Sequence, residues 1–242
     1  LLTLRAQRIL QEADVIVHDS LVSDSVVAMG RREAERINVG KRKDRRNASQ
    51  TEINAILVRE AEAGRRVVRL KCGDPLVFGR AGEEMAALRA AAIPFEIVPG
   101  VTSALAAAAE AEISLTLRGT VSTLVFTTGH DADGDVLPDW AGLALSGATI
   151  AVYMGRSVAA RIAARLTEAG LSAATPVSVI ENATLPHRRI FAGALAELIG
   201  FAERGDVDGP ALILIGAAAR EGAPALSEPL AEPLALARIM AA

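Results

Sequence analysis

Between Ser49 and Gly64, the residues Ile53, Ile56, Leu57 and Glu60 recur at steps of three and four, so they share one face of a helix. Ser49 supplies an N-cap oxygen and Gly64 a stop. The same helical patterning, built from Ala, Leu and Arg, predicts helices over residues 3–13, 50–63, 81–91, 101–111, 158–169 and 194–203. Short β-branched runs between them predict strands at 15–18, 36–39, 67–70, 95–98, 124–127, 149–153, 177–180, 190–192 and 212–215. Alternating strands and helices argue for an α/β fold with mostly parallel sheets.

Many of these strands end in a small or turn residue followed by polar groups: "VIVHDS", "INVGKR", "RLKCGDP", "EIVPGVTS", "FTTGHD", "VYMGRS" and "VIENAT". In open α/β sheets, ligands bind beyond the carboxyl ends of the strands, so these loops are where a site is expected. The polar stretch "SLTLRGTVS" separates two strand-rich halves, which places one α/β domain at 1–117 and a second at 118–220. An Ala/Pro-rich tail is expected at 221–242. The opening "LLTLRAQRILQEAD" reads as a helix with no strand or cap before it, although such a domain ordinarily begins with a strand and turn. An N-terminal strand and loop are therefore expected to be missing from the sequence.

Composition narrows the classes. Hydrophobic residues reach 51% with only 3% aromatic, so the core is aliphatic. No apolar run approaches the roughly 20 residues of a membrane span, and no membrane association is expected. A single cysteine, Cys72, excludes an internal disulfide, and a cytoplasmic setting fits. His18, His130 and His187 are too scattered for a metal site, so no metal is expected. The net charge of −3 and the scarcity of aromatics give no reason to expect nucleic acid. Yet "GKRKDRR" sets five basic residues into six positions from Lys41, which suits either a solvated loop or a polyanion site. Dinucleotide-fingerprint, P-loop and nucleophile-elbow motifs are absent.

The densest stretch is "RLKCGDPLVFGRAGEE". Gly73 permits close backbone approach to a ligand, Pro75 stiffens the exit and Asp74 offers a carboxylate, although Gly-Asp-Pro is also an ordinary turn. Arg80 and Glu83 stand three apart on one helical face. Together with "LLTLRA", "ADVIVHDSLVS", "VGKR", "QTEIN", "IPFEIVPGVTSA", "VYMG", "VIENAT" and "PALILIG", this stretch resembles the S-adenosylmethionine-dependent tetrapyrrole methylases. The likeness is to the uroporphyrinogen-III C-methyltransferases among them and runs in order from residue 1 to about 216.

That resemblance implies two α/β domains with the cofactor in the cleft between them, a homodimer, and a strand with a Gly/Pro-rich loop ahead of "LLTL". It implies transfer of two methyl groups from S-adenosyl-L-methionine to a small-molecule tetrapyrrole, uroporphyrinogen III, giving precorrin-2 and S-adenosyl-L-homocysteine. Asp19 is then the candidate proton acceptor and Lys41 the candidate donor, with Arg80 and Glu83 as rivals for the acid–base role. Read alone, Asp19 serves equally as a turn residue and Lys41 as an anion contact. Eight substrate carboxylates give the basic residues a purpose, and Arg42, Arg80 and Arg118 are the candidates to hold them, with Lys43, Arg45 and Arg46 adding field. For the cofactor, the resemblance points to Cys72, Gly73, Asp74, Val77, Thr102, Ser103, Met154, Ala183, Ala211 and Leu212.

Four positions depart from the family pattern. Cys72, Ala81 and Ala183 stand where glycines are usual, and Leu117 where a histidine is usual. Cys72 is expected to be a tolerated apolar neighbour of the cofactor. Three other readings stand beside the main one: a methylase of a later corrin precursor, an RNA methylase of this fold, and a binder of cofactor or tetrapyrrole without catalysis.

Overall fold

The computed structural model describes residues 1–40, 48–130, 141–220 and 227–230. It divides into two compact units, Leu1–Ser103 and a second from Ala104 onward. This division falls ahead of the polar stretch expected to mark it. The amide of Ala104 donates to the Tyr153 hydroxyl at 3.1 Å, which ties the start of the Ser103–Glu110 helix to a strand of the second unit.

The first unit runs α1 (Leu4–Glu12), β1 (Val15–His18), α2 (Asp24–Val27), β2 (Glu35–Asn38), α3 (Gln50–Glu62), β3 (Val67–Leu70) and α4 (Ala81–Ala90). Thr3 caps α1 by accepting from the Ala6 amide, so that helix does begin with a cap, contrary to expectation. Ser49 and Glu52 close a reciprocal capping box on α3, and Gly64, at φ 76°, turns the chain out of it. The sheet order is β2-β1-β3, all parallel. Alternation divides β1 between two small cores: Ile16 packs with Leu10, Val27 and Leu70, while Val15 and Val17 pack with Val39, Ile53 and Leu57.

Residues 95–98 do not form the expected strand. Their β-branched content is suitable, but among the described residues their backbone groups have no partner, and a strand exists only by pairing. A groove of about 690 Å³ runs along them and along the far edge of β3, lined also by α1 and by Leu88 of α4.

The second unit runs α5 (Ser103–Glu110), β4 (Leu124–Thr128), α6 (Ala141–Leu145), β5 (Thr149–Tyr153), α7 (Ala159–Glu168), β6 (Pro176–Glu181), β7 (Arg189–Ala194), α8 (Leu198–Ala202), β8 (Ala211–Ile215) and β9 (Glu228–Pro229). Short 3₁₀ turns lead into α7 and α8, where sequence periodicity alone predicts continuous helix. The sheet order is β4-β5-β8-β6-β7-β9. Here β8 runs antiparallel to both its neighbours, and β6 antiparallel to β7. Across both sheets four of the seven pairings are parallel.

A large apolar core in this unit includes Ile150, Ile162, Leu166, Phe191, Phe201 and Ile213. Part of the expected tail belongs to it: Glu228–Pro229 pairs with β7, and Leu230 is fully buried. Arg189 anchors this segment through Glu228 and Asp206, and Arg204 also binds Asp206. No described helix is long and apolar enough to cross a membrane.

Candidate active site

In the first unit, parallel pairing brings the carboxyl ends of β1, β2 and β3 to one edge, because His18 lies opposite both Asn38 and Leu70. Asp19, Gly40 and the Lys71–Asp74 loop therefore emerge side by side. Gly40 is pressed against Ser20: a Cβ there would stand 2.1 Å from the Ser20 hydroxyl, so no other residue fits without movement. Asp19 is half-buried; its Oδ1 accepts from the Leu21 amide at 3.0 Å and its Oδ2 lies 3.7 Å from Arg69.

The two loops "CGDP" and "VPGVTS", distant in sequence, interlock. Asp74 accepts from the Leu76 amide at 2.8 Å through one oxygen and from the Gly100 amide at 2.9 Å through the other. A Cβ on Gly100 would sit 2.3 Å from the Gly73 carbonyl oxygen. Gly73 itself has φ 77°, and a Cβ there would stand 3.3 Å from the Ser103 hydroxyl. Cys72, Gly73, Asp74, Thr102 and Ser103 are thereby gathered, with Thr102 buried and the Val77 amide closing the turn on the Asp74 carbonyl. The result is a small-residue, backbone-lined cradle that a side chain would fill, which fits a nucleoside-bearing cofactor.

Cys72 is exposed along one side. Enough protein surrounds the sulfur that withdrawal from water, and then the Asp19 charge, raise its pKa above the usual thiol value. It remains a neutral thiol, consistent with a passive neighbour. Ala81 opens α4 with its side chain buried and its φ outside the left-handed region, so this departure from glycine carries no backbone strain.

Arg80 and Glu83 bind each other at the surface, with Nε–Oε1 2.8 Å and Nη2–Oε2 2.9 Å. The hydrogen bond from Arg80 holds the Glu83 carboxyl below its usual pKa and raises that of the guanidinium. Lys41, Arg42, Lys43, Arg45 and Arg46 lie outside the described residues. Among the described residues, no cluster of three or more His, Cys, Asp or Glu is placed to hold a metal ion.

The second unit makes a matching edge by different means. The β5–β8 register runs Val152 to Ile213, which carries Met154 to the position opposite Ala211; Ala211 in turn pairs with Glu181 of β6, two residues before Ala183. Met154, Ala183, Ala211 and Leu212 are thus gathered at one edge. Gly129 lies against Met154 and Gly155: its amide donates to the Tyr153 carbonyl at 2.7 Å, and a Cβ on it would be 2.9 Å from the Met154 carbonyl. Buried Glu181 accepts from the amides of Asp208 and Gly209, fixing the loop before β8. Ala183 takes no left-handed conformation, although its neighbours Asn182 (φ 52°) and Thr184 (φ 69°) do. A glycine is therefore not required there. Leu117 pairs with Val121 across a tight turn, and Arg118 on that turn is exposed with no ion pair among the described residues.

Of the seven described non-glycine residues at positive φ, five sit in these loops: Phe78, Arg80, Met154, Asn182 and Thr184. Such backbone clusters at ligand-binding segments. A group missed in the sequence is Arg69, Lys71 and Glu84. The available signal was "VVRLK", two cations in a strand otherwise patterned for burial.

A family model of the tetrapyrrole (corrin/porphyrin) methylases matches residues 1–199. The siroheme synthase of Azotobacter vinelandii is 46% identical over 220 residues, 91% of this chain but 47% of that protein, so the chain spans about half the length of the curated relatives it matches. Among solved structures, uroporphyrin-III C-methyltransferase from Thermus thermophilus, complexed with S-adenosyl homocysteine, superposes with a TM-score of 0.77 at 36% identity. That match covers 91% of this chain and 93% of the other. A cobalt-precorrin-4 methyltransferase of cobalamin biosynthesis gives a TM-score of 0.80 at 30% identity over 90% of both chains. The chain belongs to the tetrapyrrole (corrin/porphyrin) methylases.

Proposed function

We propose that this chain is an S-adenosylmethionine-dependent C-methyltransferase that adds two methyl groups to uroporphyrinogen III, giving precorrin-2. The observation that carries this reading is the interlock of the Cys72–Asp74 loop with Gly100–Ser103 on the edge that also presents Asp19. The identity to a methyltransferase solved with S-adenosyl homocysteine supports it. The bound sulfonium supplies an already activated methyl group.

The chain's own work is then to hold, orient and deprotonate. Gly73, Asp74, Thr102 and Ser103, with Met154, Ala183, Ala211 and Leu212, hold the cofactor largely by backbone and apolar contact. Asp19 accepts the proton lost from the macrocycle as each carbon–carbon bond forms; a proton that Lys41 donates to the macrocycle is matched by loss of a second one to solvent, so each methyl transfer releases one proton net. Arg80 and Glu83 are poorer candidates for this exchange, because each already occupies the other. Arg118 and Arg42 bind substrate carboxylates, and Arg80 joins them by exchanging Glu83 for a carboxylate of the tetrapyrrole. The same reading carries a cytoplasmic homodimer and a place in siroheme or cobalamin formation.

The test is anaerobic turnover of uroporphyrinogen III with S-adenosylmethionine, counting methyl groups by mass. Two added methyls are expected. Cofactor binding without methylation of this substrate would remove it and favour a later corrin precursor, the reading supported by the likeness to the cobalt-precorrin-4 enzyme.

A further inference from the structure

Behind the carboxyl end of β3, three charged side chains that the proposed chemistry does not use directly, Glu84, Arg69 and Lys71, form a network that reaches Asp19. Glu84 of α4 exposes 6% of its side chain. It accepts from Lys71 Nζ at 3.0 and 2.9 Å, from Arg69 Nε at 3.0 Å and from the Gln50 amide at 3.4 Å. Arg69, itself 14% exposed, donates through Nη1 to the carbonyls of Val17 at 3.3 Å and Leu70 at 3.0 Å. Its remaining nitrogen, Nη2, faces Asp19 Oδ2 at 3.7 Å.

A guanidinium is planar, so once Nε and Nη1 are committed the place of Nη2 is fixed. At 3.7 Å it is near enough to orient the Asp19 carboxylate and too far to occupy a lone pair with a normal hydrogen bond. The other oxygen of Asp19 is held by the Leu21 amide, so both ends of the carboxylate are set by the protein. The charges balance: Glu84 and Asp19 against Arg69 and Lys71. Withdrawal from water, and then the adjacent Arg69, push Lys71 below its usual pKa while Glu84 opposes the shift, so removal of Glu84 leaves two crowded cations with Asp19 as the carboxylate that faces them among the described residues. Buried ion networks are weak evidence for stability, since apolar replacements often do as well. The place of this one, beside the edge that presents Asp19, points to that edge instead.

We propose that Glu84 and Arg69 are positioning residues: Glu84 tethers the Arg69 guanidinium so that it orients Asp19 without closing on it. This rests on the reading of Asp19 as proton acceptor. Removing the tether lets Arg69 collapse onto Asp19 and occupy the lone pair that must take the proton.

The experiment is steady-state methyl transfer from radiolabelled S-adenosylmethionine by Glu84→Gln, Arg69→Met, the double variant and Asp19→Asn. Glu84→Gln is expected to lower kcat by at least about tenfold, with KM for S-adenosylmethionine within about twofold, since base misplacement acts on turnover. The charge-balanced double variant Glu84→Gln/Arg69→Met is expected to be about fivefold or more faster than Glu84→Gln alone, a rescue that general loss of structure does not produce. Unchanged kcat in Glu84→Gln, or losses that multiply in the double variant, would overturn the proposal. Full turnover by Asp19→Asn would instead remove the acceptor assignment itself and the proposal with it, and that outcome is read in its own variant. If Glu84→Gln gives no soluble protein, Arg69→Lys carries the test: it keeps the charge but not the fork, and an unchanged kcat there overturns the proposal equally.

Discussion

In the second unit, β5 and all but the first residue of β6 and β8 are buried, whereas in the first unit only β1 is covered along its whole length. The second unit holds a large apolar core with two phenylalanines edge-to-face at 5.2 Å. The first divides its apolar residues between two small clusters and gives part of its interior to Glu60, Arg69, Lys71 and Glu84. The contrast teaches where each property resides. The second unit puts its buried residues mainly into apolar packing, whereas the first holds Arg69, Lys71 and Glu84 beside Asp19 between two smaller apolar clusters.

The largest effect that tests this contrast is expected from Phe191→Ala. That ring is fully buried, lies under the Arg189 and Arg204 guanidiniums at 4.7 and 4.8 Å, and packs on Phe201. Its loss should destabilise the protein by about 3–5 kcal/mol in urea unfolding. Hydrogen exchange should accelerate across β5 to β8 more than across β1, and an equal acceleration in β1 would break the distinction.

A smaller effect is expected in the first unit from Gly73→Ala. The φ of 77° is unfavourable to a side chain and the new Cβ meets Ser103, so about 1–2 kcal/mol is lost along with cofactor affinity measured by calorimetry. Cys72→Gly, one residue earlier, should change that affinity by less than about threefold if the thiol is a bystander.

The smallest effect concerns acid. Hydrogen bonds from Arg204 and then Arg189 hold Asp206 well below the usual carboxylate pKa, and Arg189 lowers Glu228. Groups depressed in the folded state stabilise it fully above their unfolded values near 4 and lose that contribution as pH falls through the folded ones. Because these side chains are part-exposed, the effect is local. Exchange at β9 and the start of β7 should rise between pH 5 and 2 before β5 responds, and simultaneous opening would show that the anchor contributes nothing.

Much of this was legible in the chain. The runs 15–18, 67–70 and 149–153 coincide with β1, β3 and β5: β1 and β5 are buried along their whole length and so are built of apolar and β-branched residues apart from their ends, and β3 keeps a β-branched start although it carries Arg69. Residues 95–98 carry the same signal and still form no strand, since pairing is a property of neighbours. The α2 and α6 helices, of four and five residues, are too short to show a period, and β9 is hidden by its proline. In the candidate site, the "CGDP" and "PGVTS" motifs were visible, but their interlock through Asp74 and Gly100 spans 26 positions. Glu84 was beyond reach for the same reason: on its helix it looks like a second solvated glutamate beside Glu83, and only its contacts with Arg69 and Lys71 at β3 distinguish them.

Among the described residues no strand pairs with the outer edge of β3, and this bears on how the chain behaves in a tube. One row of its amides and carbonyls, with the extended residues 95–98 across the groove, offers ready hydrogen-bonding partners to any extended peptide, including one from a neighbouring molecule. Turbidity on concentration should therefore follow the exposure of Val67–Leu70 more closely than the modest net charge. A lysine introduced at Val68, whose side chain is half-buried beside that edge, should clear the solution at a concentration where the parent chain clouds.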